Sequence, residues 1–344
     1  MPRLSTNFKT SLGVKQVTFL LIMVMAMGQL HAGNIFFVKQ NSQGNGTSWM
    51  DALGSLQQAL NVAQTGDAIW VARGEYFTTS GNNRNLYFKI KDGVKLYGGF
   101  AGTESSLAQR NIGANRTILS GEIGTSSLED NAYTVVFTEN VSSNTVVDGF
   151  IITGGTANVE QDGSSQVKES CGAGWYNLAN GAHSSPIIRN CKFVDNKARE
   201  GAGMYNLAIN GGECSPIIEK SQFIQNTAAL DGGAIYNGTL GANSKAAPKL
   251  TNVQFEYNIA TYGGGMMNHA HDGQVAPLVK QCRFISNKAH FQGAGVYNDY
   301  KGEGSSKAVM IACVLQKNLS SIGEPVSSRT GSFKGGSISS NGLR

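Results

Sequence analysis

One segment recurs five times without gaps, and it limits what this chain can fold into. Gly172-Ala-Gly-Trp-Tyr-Asn177, Gly201-Ala-Gly-Met-Tyr-Asn206, Gly232-Gly-Ala-Ile-Tyr-Asn237, Gly263-Gly-Gly-Met-Met-Asn268 and Gly293-Ala-Gly-Val-Tyr-Asn298 end on asparagines 29, 31, 31 and 30 residues apart. A second marker keeps the same phase: Phe193-x-x-Asn196, Phe223-x-x-Asn226, Phe255-x-x-Asn258 and Phe284-x-x-Asn287, with Leu315-x-x-Asn318 as a weaker fifth copy. Pro186, Pro216, Pro248 and Pro277 form a third. A period of this length means stacked structural units, each too small to bury its own apolar face. Between the markers lie runs of four to six residues bounded by Gly, Asn and Ser, too short for a ten-residue helix. Each repeat is therefore read as about three short strands and three corners. Parallel pairing of each strand with its counterpart one coil away then gives an all-β parallel β-helix.

Composition agrees. The 344 residues include 44 glycines and 30 asparagines, poor helix formers and good turn formers, and only 15% are charged. A charged coiled coil, a long helical bundle and a polyampholyte disordered chain are excluded. Glycines without a three-residue period, with only 6 prolines, exclude collagen.

The columns produced by alignment have a physical logic. Ile188, Ile218, Leu250, Val279 and Met310 form an apolar column, and Phe193, Phe223, Phe255, Phe284 and Leu315 form another. Cys191, Ser221, Val253, Cys282 and Cys313 lie two residues before the aromatic column and share its face, so cysteine reads there as a small hydrophobe. A bridge between Cys282 and Cys313 on adjacent coils is the alternative; Cys171 and Cys214 fall outside the column. Buried amides need partners, and stacked asparagines supply them for one another. Asn177, Asn206, Asn237, Asn268 and Asn298, and likewise Asn196, Asn226, Asn258, Asn287 and Asn318, read as two structural ladders, with Asn also suited to left-handed corners.

The chain begins with Arg3, Lys9 and Lys15 before an apolar run from Val17 to Met27, then Gln29-Leu-His-Ala-Gly33. This is the pattern of a secretory signal peptide over residues 1–32, and the run is too short to span a bilayer as a helix. No transmembrane helix is expected in the mature chain. The formal net charge of +5 falls to about +2 once those three cations leave, which gives no basis for nucleic-acid binding. Residues 33–165 read as an N-terminal cap with irregular coils and 166–344 as regular repeats. Thr47-Ser48 is expected to cap a helix carrying Leu53, Leu56 and Leu60, stopped at Gly66.

These motifs carry a resemblance. The Gly-Gly-Ala-Ile and Phe-x-x-Asn elements resemble the polymorphic outer-membrane-protein repeat of secreted and surface bacterial β-helix proteins. Gly46-Thr-Ser-Trp49, Asp51-Ala-Leu53, Leu56-Gln-Gln-Ala-Leu60, Gly66-Asp-Ala-Ile-Trp-Val71, Gly74-Glu-Tyr76, Gly98-Gly-Phe-Ala-Gly-Thr-Glu104 and Thr117-Ile-Leu-Ser-Gly121 are similar to the amino-terminal coils of pectin-lyase-like proteins. The resemblance implies a right-handed β-helix that is exported to the cell surface or outer membrane. It does not imply one activity, because the fold hosts lyases, hydrolases, adhesins and tailspikes. The chain ends at Asn341-Gly-Leu-Arg344 with no translocator barrel or secretion tail after the repeats, so a further segment or a partner is expected over the last coil.

Catalytic residues are not expected. There is no Asp-Asp pair or Gly-His-Gly motif, Asp148, Asp162 and Asp195 are scattered, and Asp195 and Asp231 read as solvated corners. No cofactor is expected. His269, His271 and Asp272 are a weak metal-ligand candidate in a loop after Asn268, against the reading of a plain polar surface loop. Alternation within the Tyr-Asn strand places Tyr176, Tyr205, Tyr236, Met267 and Tyr297 on its outer face, a row suited to stacking on sugar rings, or to stacking on itself. Variable loops at 178–185, 207–215, 238–247, 269–276 and 299–307 are the expected seat of specificity. The expectation is a secreted or cell-surface scaffold of adhesin type that binds a polysaccharide or cell-surface partner without catalysis. A polysaccharide lyase or glycoside hydrolase of the same fold is the alternative.

Overall fold

The computed structural model describes residues 33–159, 167–328 and 338–340. The segment read as a signal peptide, and Asp162, lie outside them.

The described residues from Gly33 onward form one compact unit, and among them every strand pairing is parallel, as a β-helix requires. About nine turns of roughly 31 residues are wound. One coil shows the plan: Met204–Ile209, Glu213–Cys214, Ile217–Glu219, Gln222–Ile224 and Thr227–Asp231. Each regular coil thus carries five strands, not three. The two additional strands, such as Glu213–Cys214, are too short to announce themselves by alternation. Stacking yields five sheets of nine, nine, eight, six and five strands, here called by their columns the Ile, Phe, Tyr-Asn, Ala and short sheets.

The lumen is filled by the predicted columns. Phe193 stacks on Phe223 at 4.4 Å between centroids, Phe223 on Phe255 at 5.4 Å, and Phe255 on Phe284 at 4.4 Å. Ile188, Ile218, Leu250, Val279 and Met310 join the same core, together with Trp175, Met204, Ile235, Met266 and Val296. The prolines precede the strands of the Ile sheet, where their missing N–H costs no ladder bond. Their carbonyls accept from the next coil, as in Ile217 N–H to Pro186 O at 3.0 Å.

Both asparagine ladders form, and each has a direction. Asn177, Asn206, Asn237 and Asn268 donate in turn through Nδ2 to Oδ1 of the next asparagine at 2.9–3.1 Å, ending on Asn298. Thr138 continues this column one coil earlier, donating through Oγ1 to Asn177 and accepting from Trp175 Nε1. The second ladder runs from Asn196 through Asn226, Asn258 and Asn287 to Asn318 at 2.8–3.0 Å. The corner explanation for these asparagines needs correcting. The left-handed residue is the one before each of them: Asp195, Gln225, Tyr257, Ser286 and Lys317. The asparagines themselves face inward to bind the next coil.

The repeated glycines do two jobs. Gly232 sits at φ +67, and a Cβ there would lie 2.5 Å from Ile235 O. Gly203 faces the lumen, where a Cβ would lie 2.8 Å from Phe223 Cδ1. The first glycine turns the chain and the other lets the Tyr-Asn strand approach the Phe stack.

At the amino-terminal end the helix α1 spans Leu56–Val62 and buries Leu56, Ala59 and Leu60 against strands Ile35–Val38, Ala68–Ala72 and Phe88–Lys89. Its N-cap is Ser55, without a side-chain cap bond, and not Thr47-Ser48. Thr47 instead donates to Asp51 within a local turn at 3.2 Å, and Leu53 bridges to Val38 as extended chain. The helix is therefore shorter than the apolar spacing suggested.

Candidate functional site

The tyrosine row exists, on the face opposite the lumen. Tyr205 pairs in register with Tyr176 and Tyr236, and Tyr205 and Tyr236 stack at 4.6 Å and 10°. The row is not a surface, however. Tyr176, Tyr205, Tyr236, Met267 and Tyr297 are only 0–6% exposed and form a second core outside the coil. Burial raises the hydroxyl pKa of Tyr176, Tyr205 and Tyr236 well above the ordinary range. Of the two readings of this row, a strip open to sugar rings and a self-stacked column, the burial of the rings and the Tyr205–Tyr236 stack agree with the second.

The cover is a column at the end of the Ala sheet, one residue before the turning glycine. Cys171, Glu200, Asp231, Tyr262 and Gln292 follow one another in register. Tyr262 stacks on Tyr297 at 5.3 Å. Glu200 and Asp231 are side by side on adjacent coils, and burial raises the pKa of both. For Asp231 the Glu200 and Asp299 charges add to burial, and its pKa reaches about 7. Arg199 Nη1 pairs with Glu200 at 2.8 Å. The Tyr205 hydroxyl lies beside Glu200 and Cys171 and makes no well-aligned hydrogen bond among the described residues. Asp231 is therefore not a solvated corner, whereas Asp195 is exposed at a left-handed corner. Alignment by the turning glycine would have shown this column, but its mixed chemistry hides it.

The histidine candidates are drawn into regular structure. His269 and His271 lie on strand Met266–His271, opposite Asp299 and Lys301 on the next coil. His271 Nε2 approaches Asp272 Oδ2 at 3.5 Å, and Asp272 is itself a left-handed turn residue whose Oδ1 accepts from Glu303 N–H. Among the described residues no three His, Cys, Asp or Glu side chains gather closely enough to hold a metal ion. The five variable segments are likewise not free loops. Each continues the Tyr-Asn strand and then enters the short sheet, leaving tight turns such as the one at Gly211.

Asp148 is buried and fully engaged. Its Oδ2 accepts from Arg110 Nη2 at 3.2 Å and Arg189 Nε at 3.0 Å, and its Oδ1 from Asn190 Nδ2 at 2.8 Å. A charge so surrounded is structural.

A cleft that alignment did not foresee lies beside α1. It holds about 480 Å³ and is lined by Gln40, Ser55, Gln57, Glu75, Phe77 and Leu86, with Tyr76, Thr78 and Thr79 among its other walls. The first two coils and the helix bring these residues together from four stretches of sequence. Phe77 and Leu86 present apolar surface to solvent. Gln57 Oε1 and Thr78 Oγ1 are buried without a hydrogen-bond partner among the described residues. Gln40 Nε2 donates to Glu75 O, which fixes the strand that carries the acid. Among the described residues, no lysine, arginine or histidine lines the cleft. It is an open groove with apolar surface and a few polar groups along its walls.

Comparison of the chain with family models, with curated proteins and with solved structures finds no match in any of the three. The likeness to pectin-lyase-like proteins and to the outer-membrane-protein repeat therefore stands on the motifs alone.

Proposed function

We propose that this protein is an exported, cell-surface β-helix of adhesin type that binds a neutral saccharide in the cleft beside α1. The observation that carries this reading is the lining of that cleft. Amide and hydroxyl groups from Gln40, Gln57 and Thr79, a carboxylate from Glu75 and the exposed ring of Phe77 match the two surfaces of a sugar ring, its hydroxyl rim and its C–H face. With one acid and no cation in the wall, a neutral sugar fits better than a uronic acid. The leader-like start at Arg3–Met27 supports export. The ladders supply a rigid mount, since each coil is tied to the next through buried amides.

Titration calorimetry of the purified protein against soluble neutral and acidic polysaccharides tests the reading. Heat with a neutral polymer, lost in Phe77→Ala and Glu75→Gln, supports it. Absence of heat across the panel, or binding untouched by both substitutions, refutes it.

A second reading, cleavage of a polysaccharide, is favoured by the Glu200–Asp231 pair. Glycoside hydrolysis uses two neighbouring carboxyl groups, one of them protonated near neutral pH. Release of reducing ends that vanishes in Asp231→Asn would establish it; no turnover on the same panel would remove it.

A further inference from the structure

The five cysteines are all free thiols and all buried, and two of them, Cys282 and Cys313, share one column on adjacent coils. Cys282 and Cys313 begin the Phe-sheet segments of adjacent coils. The residues after them are in register, Arg283 with Val314 and Phe284 with Leu315, and Val314 N–H donates to Cys282 O at 2.9 Å. Both thiols turn into the lumen, where Cys282 Sγ donates to Lys280 O at 3.2 Å and Cys313 Sγ to Val279 O at 3.4 Å. Neighbours in a parallel ladder are about 4.8 Å apart, inside the Cα range of about 4.4–6.8 Å that a disulfide spans. Each cysteine directly follows a left-handed corner residue, Gln281 or Ala312.

The other three thiols have no such neighbour. In the column of Cys191 the next coil holds Ser221. Cys214 is flanked in register by Ser184 and Ala246, and Cys171 by Glu200. Burial raises the pKa of Cys171, Cys191 and Cys214, which keeps them as thiols.

We propose that Cys282 and Cys313 form an inter-coil disulfide when the protein meets a disulfide oxidant, clamping its last regular coils. Cys313 gives up its proton and attacks one sulfur of a small disulfide RSSR, and the expelled RS⁻ takes up that proton, leaving a mixed disulfide. Cys282 gives up its proton and attacks the Cys313 sulfur, expelling the second RS⁻. The balance is two cysteine thiols and RSSR to one cystine and two RSH. With both sulfurs inside the lumen, exchange requires the last coil to be open, so oxidation accompanies winding. The odd cysteine count then resolves as one clamp and three small core residues.

The test is oxidative refolding of the full chain in a glutathione buffer, followed by non-reducing peptide mapping and thermal melting. The expected map contains a single crosslinked pair, Cys282 with Cys313, with a mass 2 Da below the reduced protein and a Tm several degrees higher that dithiothreitol abolishes. Cys313→Val and Cys282→Ser should lose the crosslink and the Tm difference. Both still fold, because Val253 and Ser221 occupy the same column. Five free thiols after refolding, or a crosslink through Cys191, Cys214 or Cys171, would overturn the proposal.

Discussion

Asn226 donates through Nδ2 to Oδ1 of Asn258 at 3.0 Å and to the carbonyl of Phe193 on the preceding coil at 3.0 Å. Its own Oδ1 accepts from both Nδ2 and the backbone N–H of Asn196. One side chain thus ties three successive coils, and none of its capacity is left to solvent. Asn226→Ala should leave Asn196 donors and the Phe193 carbonyl unmatched in a dry lumen. A loss of about 3 kcal/mol is expected, from several buried groups at about 1–3 kcal/mol each. Guanidinium unfolding checks it. A loss below about 1 kcal/mol would mean that water replaces the amide.

Left-handed residues follow the Ile and Phe strands of every regular coil, and most are neither Gly nor Asn. Tyr257 has φ +55 and is 55% exposed, so its ring contributes little packing against the cost of that conformation. Tyr257→Asn is expected to raise stability by about 0.5–1 kcal/mol, since Asn adopts the left-handed region more easily. Thermal melting decides it, and a lower Tm would show that the ring does more than turn the corner.

Asp231 predicts a pH dependence with a definite sign. Burial, the Glu200 carboxylate and then Asp299 raise its pKa to about 7, so the folded state prefers the neutral acid. The contribution is complete below pH 3.8, the ordinary value, and is lost as pH rises through 7. Asp231→Asn should therefore match the parent near pH 4 and be more stable at pH 8. The gain should be about 1–2 kcal/mol, less than the full shift implies because the side chain retains some solvent contact. Equal stabilities at pH 8 would show that Asp231 ionises without cost.

How much of this was readable from sequence depends on what repeats. The Phe193 and Ile188 columns and both asparagine ladders repeat one chemistry per coil, so their register follows from alignment. The face taken by Tyr205 followed from alternation. Its burial did not, because the covering column runs Cys171, Glu200, Asp231, Tyr262, Gln292 and has no common chemistry. Strands such as Glu213–Cys214 are too short to show a period, which is why three strands were expected where five form. The left-handed corners hide for a related reason: Gln225, Tyr257, Ser286 and Lys317 share a backbone angle and nothing else. The cleft beside α1 was beyond alignment, since winding alone joins Gln40, Gln57, Glu75 and Leu86.

Coils stack in register from the first half of the chain to the last. Lys95 reaches Lys249 by four successive in-register pairings on the Ile sheet, through Val146, Ile187 and Ile217, and Val309 by two more, through Leu278. Spin labels at Lys95 and Lys249, and at Lys95 and Val309, report this directly by double electron–electron resonance. Backbone separations of about 19 Å and about 29 Å are expected, at about 4.8 Å per coil. Broad distributions, or a second distance no longer than the first, would contradict the stacked helix.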